Sequence, residues 1–286
     1  MAAMAGMDIE EIFIFICASS VVIMILYRLE TGFYSWKYRK KPDFGYESGA
    51  SKTIGDRVIQ EDAYGIMEAD GGILAVLADG AGKELGGKTA AGLAVSIFEY
   101  VFECENAFYN PQYYFRSAFQ QANREILNTT INVQGHAAVS AVVVKKKKLY
   151  HAVAGNVKVA VYRNGELVPV SAGHTIDILA KQKYMEGKLS KEEAAVLLDE
   201  HRLYNYVGQD GFQDIEFLDT PITLYGGEYV LLMSDGLYET AGWKEIEDCL
   251  GAKGSCQEKA YRIIDLVNHS KEQDKDNACV VVLKVR

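Results

Sequence analysis

Four short acidic stretches along the chain carry the residues whose types and spacing could do chemistry. Three of them place an Asp next to an apolar, strand-like run, at residues 73–77, 229–233 and 279–283. Carboxylate oxygens are the ligands that Mg²⁺ and Mn²⁺ prefer, and carboxylates brought together without a cation repel one another. The pattern therefore predicts a divalent-metal site where strands end. The stretches are Arg57–Asp62, Asp79–Gly82, Ser234–Gly236 and Asp276–Asn277.

A glycine follows both Asp79 and Asp235. Glycine allows a sharp turn and a close approach of the backbone, so the carbonyl oxygen of Gly80 could join the metal ligands. A single Asp-Gly pair is explained better by a turn after a strand. The recurrence of the pair favours the metal site.

Arg57 precedes Asp62 on an extended segment. Its guanidinium presents a planar fork of donors that matches phosphate oxygens, which a lysine does not match in the same way. Beside a metal cluster, such an arginine indicates phosphate ester chemistry. The alternative is a surface salt bridge with Asp56 or Glu61.

The composition limits the class of protein. In 286 residues, 49% are hydrophobic and 24% are charged, which is typical of a globular core. A net charge of −9 argues against nucleic acid as a partner. A basic run at residues 145–148 lies between two strand-like segments and is predicted to be a solvated hairpin tip, with a binding patch as the alternative.

The N-terminal region has a different composition. Residues 12–27 carry no charge and would span about 24 Å as a helix, short but usable for a membrane. Acidic residues precede the run and basic residues follow it. This charge pattern disfavours a secretory signal peptide and predicts that about residues 12–28 form a retained, single-pass anchor in the cell membrane. The C-terminal part would then be cytoplasmic. We expect an N-terminal segment over 1–30, a basic juxtamembrane segment and linker over 31–50, and a soluble domain over 51–286.

The rest of the chain groups its strands and helices instead of alternating them. Strand-like runs occur near 63–68, 73–78, 137–144, 148–154, 157–163, 228–234 and 278–285, and helical periodicity occurs near 86–104, 112–128, 191–199, 243–250 and 256–269. This grouping predicts an α+β fold with antiparallel sheets covered by helices. The weakly patterned stretch 172–226 is expected to leave the sheets near the site.

The order of the acidic motifs resembles that of the metal-dependent protein Ser/Thr phosphatases of the PPM (type 2C) family, in their bacterial form, over about residues 51–286. Family members show R-x-x-x-E-D, D-G-x-G, S-D-G and D-N in that order, and the four stretches named above match them. Residues 187–194 and 203–208 are similar to the flap segment of bacterial members, which makes 172–226 flap-like. The resemblance implies a four-layer α-β-β-α sandwich of two antiparallel sheets flanked by helices.

The resemblance also implies roles for the matched residues. Arg57 would hold the substrate phosphate, and Asp79 would bridge two Mn²⁺ or Mg²⁺ ions. A water activated by the two ions would hydrolyse phosphoserine or phosphothreonine in proteins, opposing a Ser/Thr kinase. The catalytic set is thus Arg57, Asp79 and Asp235, and the implied metal ligands are Asp62, Asp79, Gly80, Asp235 and Asp276.

The chain departs from the family pattern at four positions. Asn156 stands where relatives place an Asp that supports a third metal, so third-metal binding is put in doubt. His136 and Gly173 replace a Thr and an Asp of the pattern, and Ala81 stands where some relatives carry a His that could protonate the leaving group. Two alternatives therefore stay open: a pseudophosphatase that binds phosphoproteins without hydrolysing them, and a small-molecule phosphoesterase.

Overall fold

The computed structural model describes residues 45–130 and 132–285. The predicted membrane helix at 12–28 and the juxtamembrane segment before residue 45 lie outside the described residues. Among the helices that are described, none has the length and apolar character needed to cross a bilayer.

Two antiparallel sheets form the centre of the fold. The first sheet has the strand order β1-β11-β10-β6-β7, and the second has the order β2-β3-β4-β5-β8, with β9 also paired to β5. The strands are β1 Tyr46–Thr53, β2 Ala63–Ala69, β3 Gly72–Ala81, β4 His136–Lys145, β5 Lys148–Ala154, β6 Lys158–Arg163, β7 Glu166–Pro169, β8 Glu216–Phe217, β9 Ile222–Thr223, β10 Tyr229–Met233 and β11 Ala278–Val285.

Helices cover the outer face of each sheet. The helices are α1 Gly86–Cys104, α2 Pro111–Thr129, α3 Ile176–Met185, α4 Lys191–Leu197, α5 Asp235–Thr240, α6 Trp243–Gly251 and α7 Cys256–His269. Strand β3 shows the layering, because Leu74 and Val76 pack in a cluster with α1 and α2 while Ile73 and Leu77 pack against the first sheet. On the far side, α6 and α7 pack on β10 and β11. The α+β fold with two antiparallel sheets is confirmed.

Local sequence explains where several helices begin. At α2, the Asn110 side chain accepts a hydrogen bond from the backbone N–H of Tyr113, and Pro111 fills the first turn. At α7, Ser255 and Glu258 form a reciprocal capping box. These caps satisfy N–H groups that have no partner inside the helix.

The first described strand begins earlier than the sequence predicted for the soluble domain. Strand β1 starts at Tyr46, so the linker prediction is wrong for residues 46–50. The strand was missed because its centre carries small side chains in place of an apolar run. Gly49 shows why they are small: an added Cβ would overlap the backbone of Cys256 and Gln257 at the start of α7.

The basic run forms the tip of the β4–β5 hairpin, as predicted. Lys146 and Lys147 both have positive φ, at 49° and 63°. This is the backbone geometry of a tight two-residue hairpin turn.

Candidate metal centre

The predicted aspartates lie next to three strands, at one side of the fold. Asp79 and Gly80 lie at the end of β3, Asp235 is the first residue of α5 directly after β10, and Asp276 lies just before β11. Together with Arg57 and Asn156 they line a cleft of about 380 Å³. The structure thus brings together every predicted site residue except Asp62 at the surface of one cleft.

Asp62 lies behind the cleft wall. It is only 3% exposed, and its Oδ2 accepts a hydrogen bond of 3.0 Å from Ser234 Oγ. Its Oδ1 is buried and finds no hydrogen-bond partner among the described residues. A buried, unpartnered carboxylate oxygen calls for a ligand that the protein itself does not supply.

The carboxylates raise one another's pKa. Burial, and then the charges of Asp235 and Asp276, raise the pKa of Asp62 to about 7 against the hydrogen bond from Ser234. Burial and the neighbouring charges of Asp235 and Asp62 likewise raise the pKa of Asp79 well above its usual value. A divalent cation would remove this cost, and the oxygen donors fit Mn²⁺ or Mg²⁺.

Two of the carboxylates already have protein partners. Arg57 Nε and Nη2 each donate to a carboxylate oxygen of Asp276 at 3.0 Å, and Asn156 Nδ2 donates to Asp235 Oδ2 at 2.7 Å. As they stand, the side chains in the described part of the chain do not form a ready-made group of three acidic, His or Cys ligands. A cation that takes both oxygens of Asp276 would displace Arg57. This exchange is inexpensive because both side chains are about half exposed.

The glycines of the site allow close approach between its elements. A Cβ on Gly80 would overlap the carbonyl oxygen of Gly87 in the first turn of α1, and a Cβ on Gly236 would overlap that of Asn277. Both Asp-Gly pairs thus have a packing reason for the glycine, in addition to any role of the Gly80 carbonyl as a ligand.

No family model matches the chain. The Ser/Thr phosphatase stp of Listeria welshimeri is 25% identical over 230 residues, which are 77% of this chain and 89% of the relative. The stp of Listeria monocytogenes is 24% identical, also over 230 residues and over the same shares of the two chains.

Solved structures share the fold. The Ser/Thr phosphatase of S. agalactiae superposes with a TM-score of 0.73 at 22% identity, over 84% of this chain and 100% of that one. The catalytic domain of PstP in complex with two manganese ions gives a TM-score of 0.66 at 21% identity, over 84% and 97%. This chain therefore has the fold of these Ser/Thr phosphatases. The agreement of fold, relatives and aspartate cluster confirms the resemblance seen in the sequence.

Two residues that hold this site together were not assigned roles from sequence. Asn277 Oδ1 accepts from the backbone N–H of Glu61 at 2.7 Å, and its Nδ2 donates to the carbonyl of Ile54 at 2.8 Å. One amide thus holds both ends of the β1–β2 loop, which carries Arg57 and Asp62, next to Asp276. Burial raises the pKa of Glu61, and the backbone N–H groups at the start of α1 oppose that shift. The D-N and E-D motifs contain these residues, but their partners lie far away in sequence.

The departures from the PPM pattern have structural counterparts. His136 lines the cleft and stacks on Tyr206 with ring centroids 4.6 Å apart. In the β3–β4 ladder it is the direct cross-strand neighbour of Ala81. His174, to which the sequence assigned no role, is buried and accepts a hydrogen bond from the backbone N–H of Gly155 at its Nδ1. It stabilises the loop next to Asn156.

Proposed function

We propose that this chain is a metal-dependent protein phosphatase that hydrolyses phosphoserine and phosphothreonine side chains of proteins. The observation that carries the proposal is the convergence of mutually repelling aspartates at one cleft, with the buried Asp62 behind its wall and an arginine at its surface. The relatives named Ser/Thr phosphatases and the manganese complex of PstP support the choice of substrate and ions.

Asp62, Asp79, Asp235, Asp276 and the Gly80 carbonyl would hold two Mn²⁺ or Mg²⁺ ions. Such ions activate water as a nucleophile and neutralise charge on the phosphoryl group. The described residues that line the cleft include no Ser, Thr or Cys side chain. We therefore expect water to attack phosphorus directly, without a phosphoenzyme.

Arg57 is placed to bind the substrate phosphate. Its Nε and Nη2 form a fork that now holds the Asp276 carboxylate, and two phosphate oxygens can take the same two positions. If Asp276 turned to a bound cation, the Arg57 fork would be free for the substrate. The pair thus couples cation binding to exposure of the phosphate site.

His136 is placed to protonate the leaving group. A serine or threonine alkoxide is a poor leaving group, so proton donation accelerates its departure. Since His136 lines the cleft directly opposite Ala81, its imidazole can act from the neighbouring strand.

We further propose that the predicted helix at 12–28 anchors the chain in the cell membrane with the phosphatase domain in the cytoplasm. The uncharged run with acidic residues before it and basic residues after it supports this orientation. An opposing Ser/Thr kinase is part of the same proposal.

The proposed function is tested by phosphate release from a phosphothreonine peptide with Mn²⁺, with Mg²⁺ and with chelator. Release with metal that Asp235→Asn loses and the surface variant Asp210→Asn keeps is the expected result. Better hydrolysis of p-nitrophenyl phosphate than of any phosphopeptide would favour the small-molecule phosphoesterase. A folded protein without release in any metal would contradict the enzyme and favour the binding-only alternative.

A further inference from the structure

The end of the fold opposite the metal centre carries a basic and aromatic surface, which we call the basic pole and define as Lys145–Lys148 with Tyr109. These residues, apart from Lys147 at the hairpin tip, line one surface cleft of about 380 Å³. Tyr109 is 90% exposed, and Lys145 Nζ lies 4.6 Å from the centroid of the Phe108 ring. Among the described residues, no carboxylate lies within ion-pair distance of the four lysines, in a chain with a net charge of −9.

Strand register fixes the position of the basic pole relative to the metal centre. Lys145 pairs with Gly72 at one end of β3, and Ala138 pairs with Asp79 near the other end. Seven residues of strand at about 3.3 Å each separate the two ends by about 23 Å. The basic pole therefore faces away from the catalytic cleft.

The first described strand, β1, begins at the same end of the fold. Tyr46 begins β1 and pairs with Val285, and its phenol contacts the backbone of Lys146 across the two sheets. Strand β1 then runs towards the metal centre, where it is followed by Arg57. The segment that leads back from Tyr46 contains Lys37 and 39–41, a second basic group next to the predicted span.

We infer that the basic pole is a docking surface for anionic lipid headgroups of the membrane in which the chain is anchored. This inference rests on the membrane anchoring proposed above. Lysines next to an anionic bilayer are attracted to it, and an exposed tyrosine is suited to the headgroup region. The remaining acidic surface is repelled, so one orientation is selected. Docking in this orientation points the catalytic cleft towards the cytoplasm and its phosphoprotein substrates.

The test is lysine acetylation of the full chain in lipid nanodiscs, read by mass spectrometry. Lys146 and Lys147 are compared with Lys191, an exposed lysine at the start of α4 in the flap-like segment. In phosphatidylglycerol discs we expect acetylation of Lys146 and Lys147 to fall roughly fivefold relative to phosphatidylcholine discs, with Lys191 unchanged. The protection should disappear in 1 M salt, where the Debye length is about 3 Å.

A double substitution, K146E and K147E, provides the matched variant. Lys145 and Lys148 should then lose their protection in phosphatidylglycerol discs, while hydrolysis of a soluble phosphopeptide on the same discs stays at the level of the unsubstituted chain. Equal acetylation in both lipids would overturn the docking surface. Protection by added polyglutamate but not by anionic lipid would overturn it in favour of an acidic protein partner.

Failure of the docking surface can be distinguished from failure of the proposed function. Phosphopeptide hydrolysis reports the enzyme, and flotation of the full chain with neutral vesicles reports the anchor. Loss of flotation with neutral vesicles would contradict the anchor, whereas equal acetylation in both lipids by a chain that does float would contradict the docking surface alone.

Discussion

Replacing Asp62 by Asn should stabilise the metal-free protein while weakening its response to metal. Asp62 is 3% exposed, and its pKa is raised to about 7 from 3.8. At a pH between these two pKa values, the Asp62 carboxyl is ionised in the unfolded chain and protonated in the folded chain. Stability of the metal-free protein therefore falls as pH rises from about 4 to about 7.

The magnitude follows from the difference of about 3 pKa units, which corresponds to about 4 kcal/mol above pH 7. Asp79 and Asp62 interact, so only part of this free energy belongs to Asp62 alone. We therefore expect Asp62→Asn to raise the free energy of unfolding by about half of it, ~2 kcal/mol. Asn keeps an acceptor for the hydroxyl of Ser234, so the packing of the loop is preserved. In Mn²⁺ the unsubstituted protein becomes the more stable of the two. It gains about 2.7 kcal/mol from metal binding when Mn²⁺ is at a hundredfold excess over Kd, and Asp62→Asn gains less.

The assay is urea unfolding in chelator at pH 4, 5.5 and 8, repeated with Mn²⁺ at pH 8. Asp210→Asn, a change on the exposed surface, serves as the control and should follow the unsubstituted protein at every pH. The free energies of unfolding of Asp62→Asn and of the unsubstituted protein should be equal at pH 4. By pH 8, Asp62→Asn should be the more stable of the two. An Asp62→Asn protein that is no more stable than the unsubstituted protein in chelator at pH 8 would refute the account of a repulsive cluster.

Three further substitutions test other parts of the account. Arg57→Lys loses the two-point contact, so kcat/KM should fall roughly thirtyfold (about 2 kcal/mol) with Mn²⁺ affinity retained; unchanged kinetics would show that Arg57 does not bind phosphate. His136→Gln should lower kcat for a phosphothreonine peptide by roughly a hundredfold but leave p-nitrophenyl phosphate little affected, since that leaving group needs no proton; equal losses would contradict the acid role. His151 is 1% exposed, and burial lowers its pKa below 6.5. The unfolded chain therefore binds a proton at this histidine more readily than the folded chain, so the protein loses stability as pH falls below about 6.5. In urea unfolding at pH 5 and 7.5, His151→Leu should lose less stability than the unsubstituted protein on going to pH 5, and an equal loss would contradict the assignment.

The sequence predicted the buried strands and long helices well because their patterns are strong. Strand β11 is a continuous apolar run that is buried on both faces, and the predicted bounds, 278–285, are those of the structure. Strand β1 was missed because Gly49 and its small neighbours fit against α7, a contact that only tertiary structure reveals. Helix α5 was missed because six residues that begin with Asp-Gly indicate a turn equally well.

The candidate site was predictable as a set of residues but not as a set of contacts. The recurrence of Asp next to strand-like runs indicated which carboxylates converge. The partners of those carboxylates were not predictable, because Arg57 meets Asp276 and Asn156 meets Asp235 across loops from distant parts of the chain. The alternative of a salt bridge from Arg57 to Asp56 or Glu61 is replaced by the bidentate pair with Asp276.

The central claim is that the aspartate cluster is a site for two divalent cations. Calorimetric titration of the full chain with Mn²⁺ at pH 7.5 tests it most directly, with Asp79→Asn as the variant and Asp210→Asn as the control. The account predicts two Mn²⁺ ions per chain, with binding lost or strongly weakened in Asp79→Asn and unchanged in Asp210→Asn. A folded chain that binds no Mn²⁺, or that binds it equally well after Asp79→Asn, would contradict the claim.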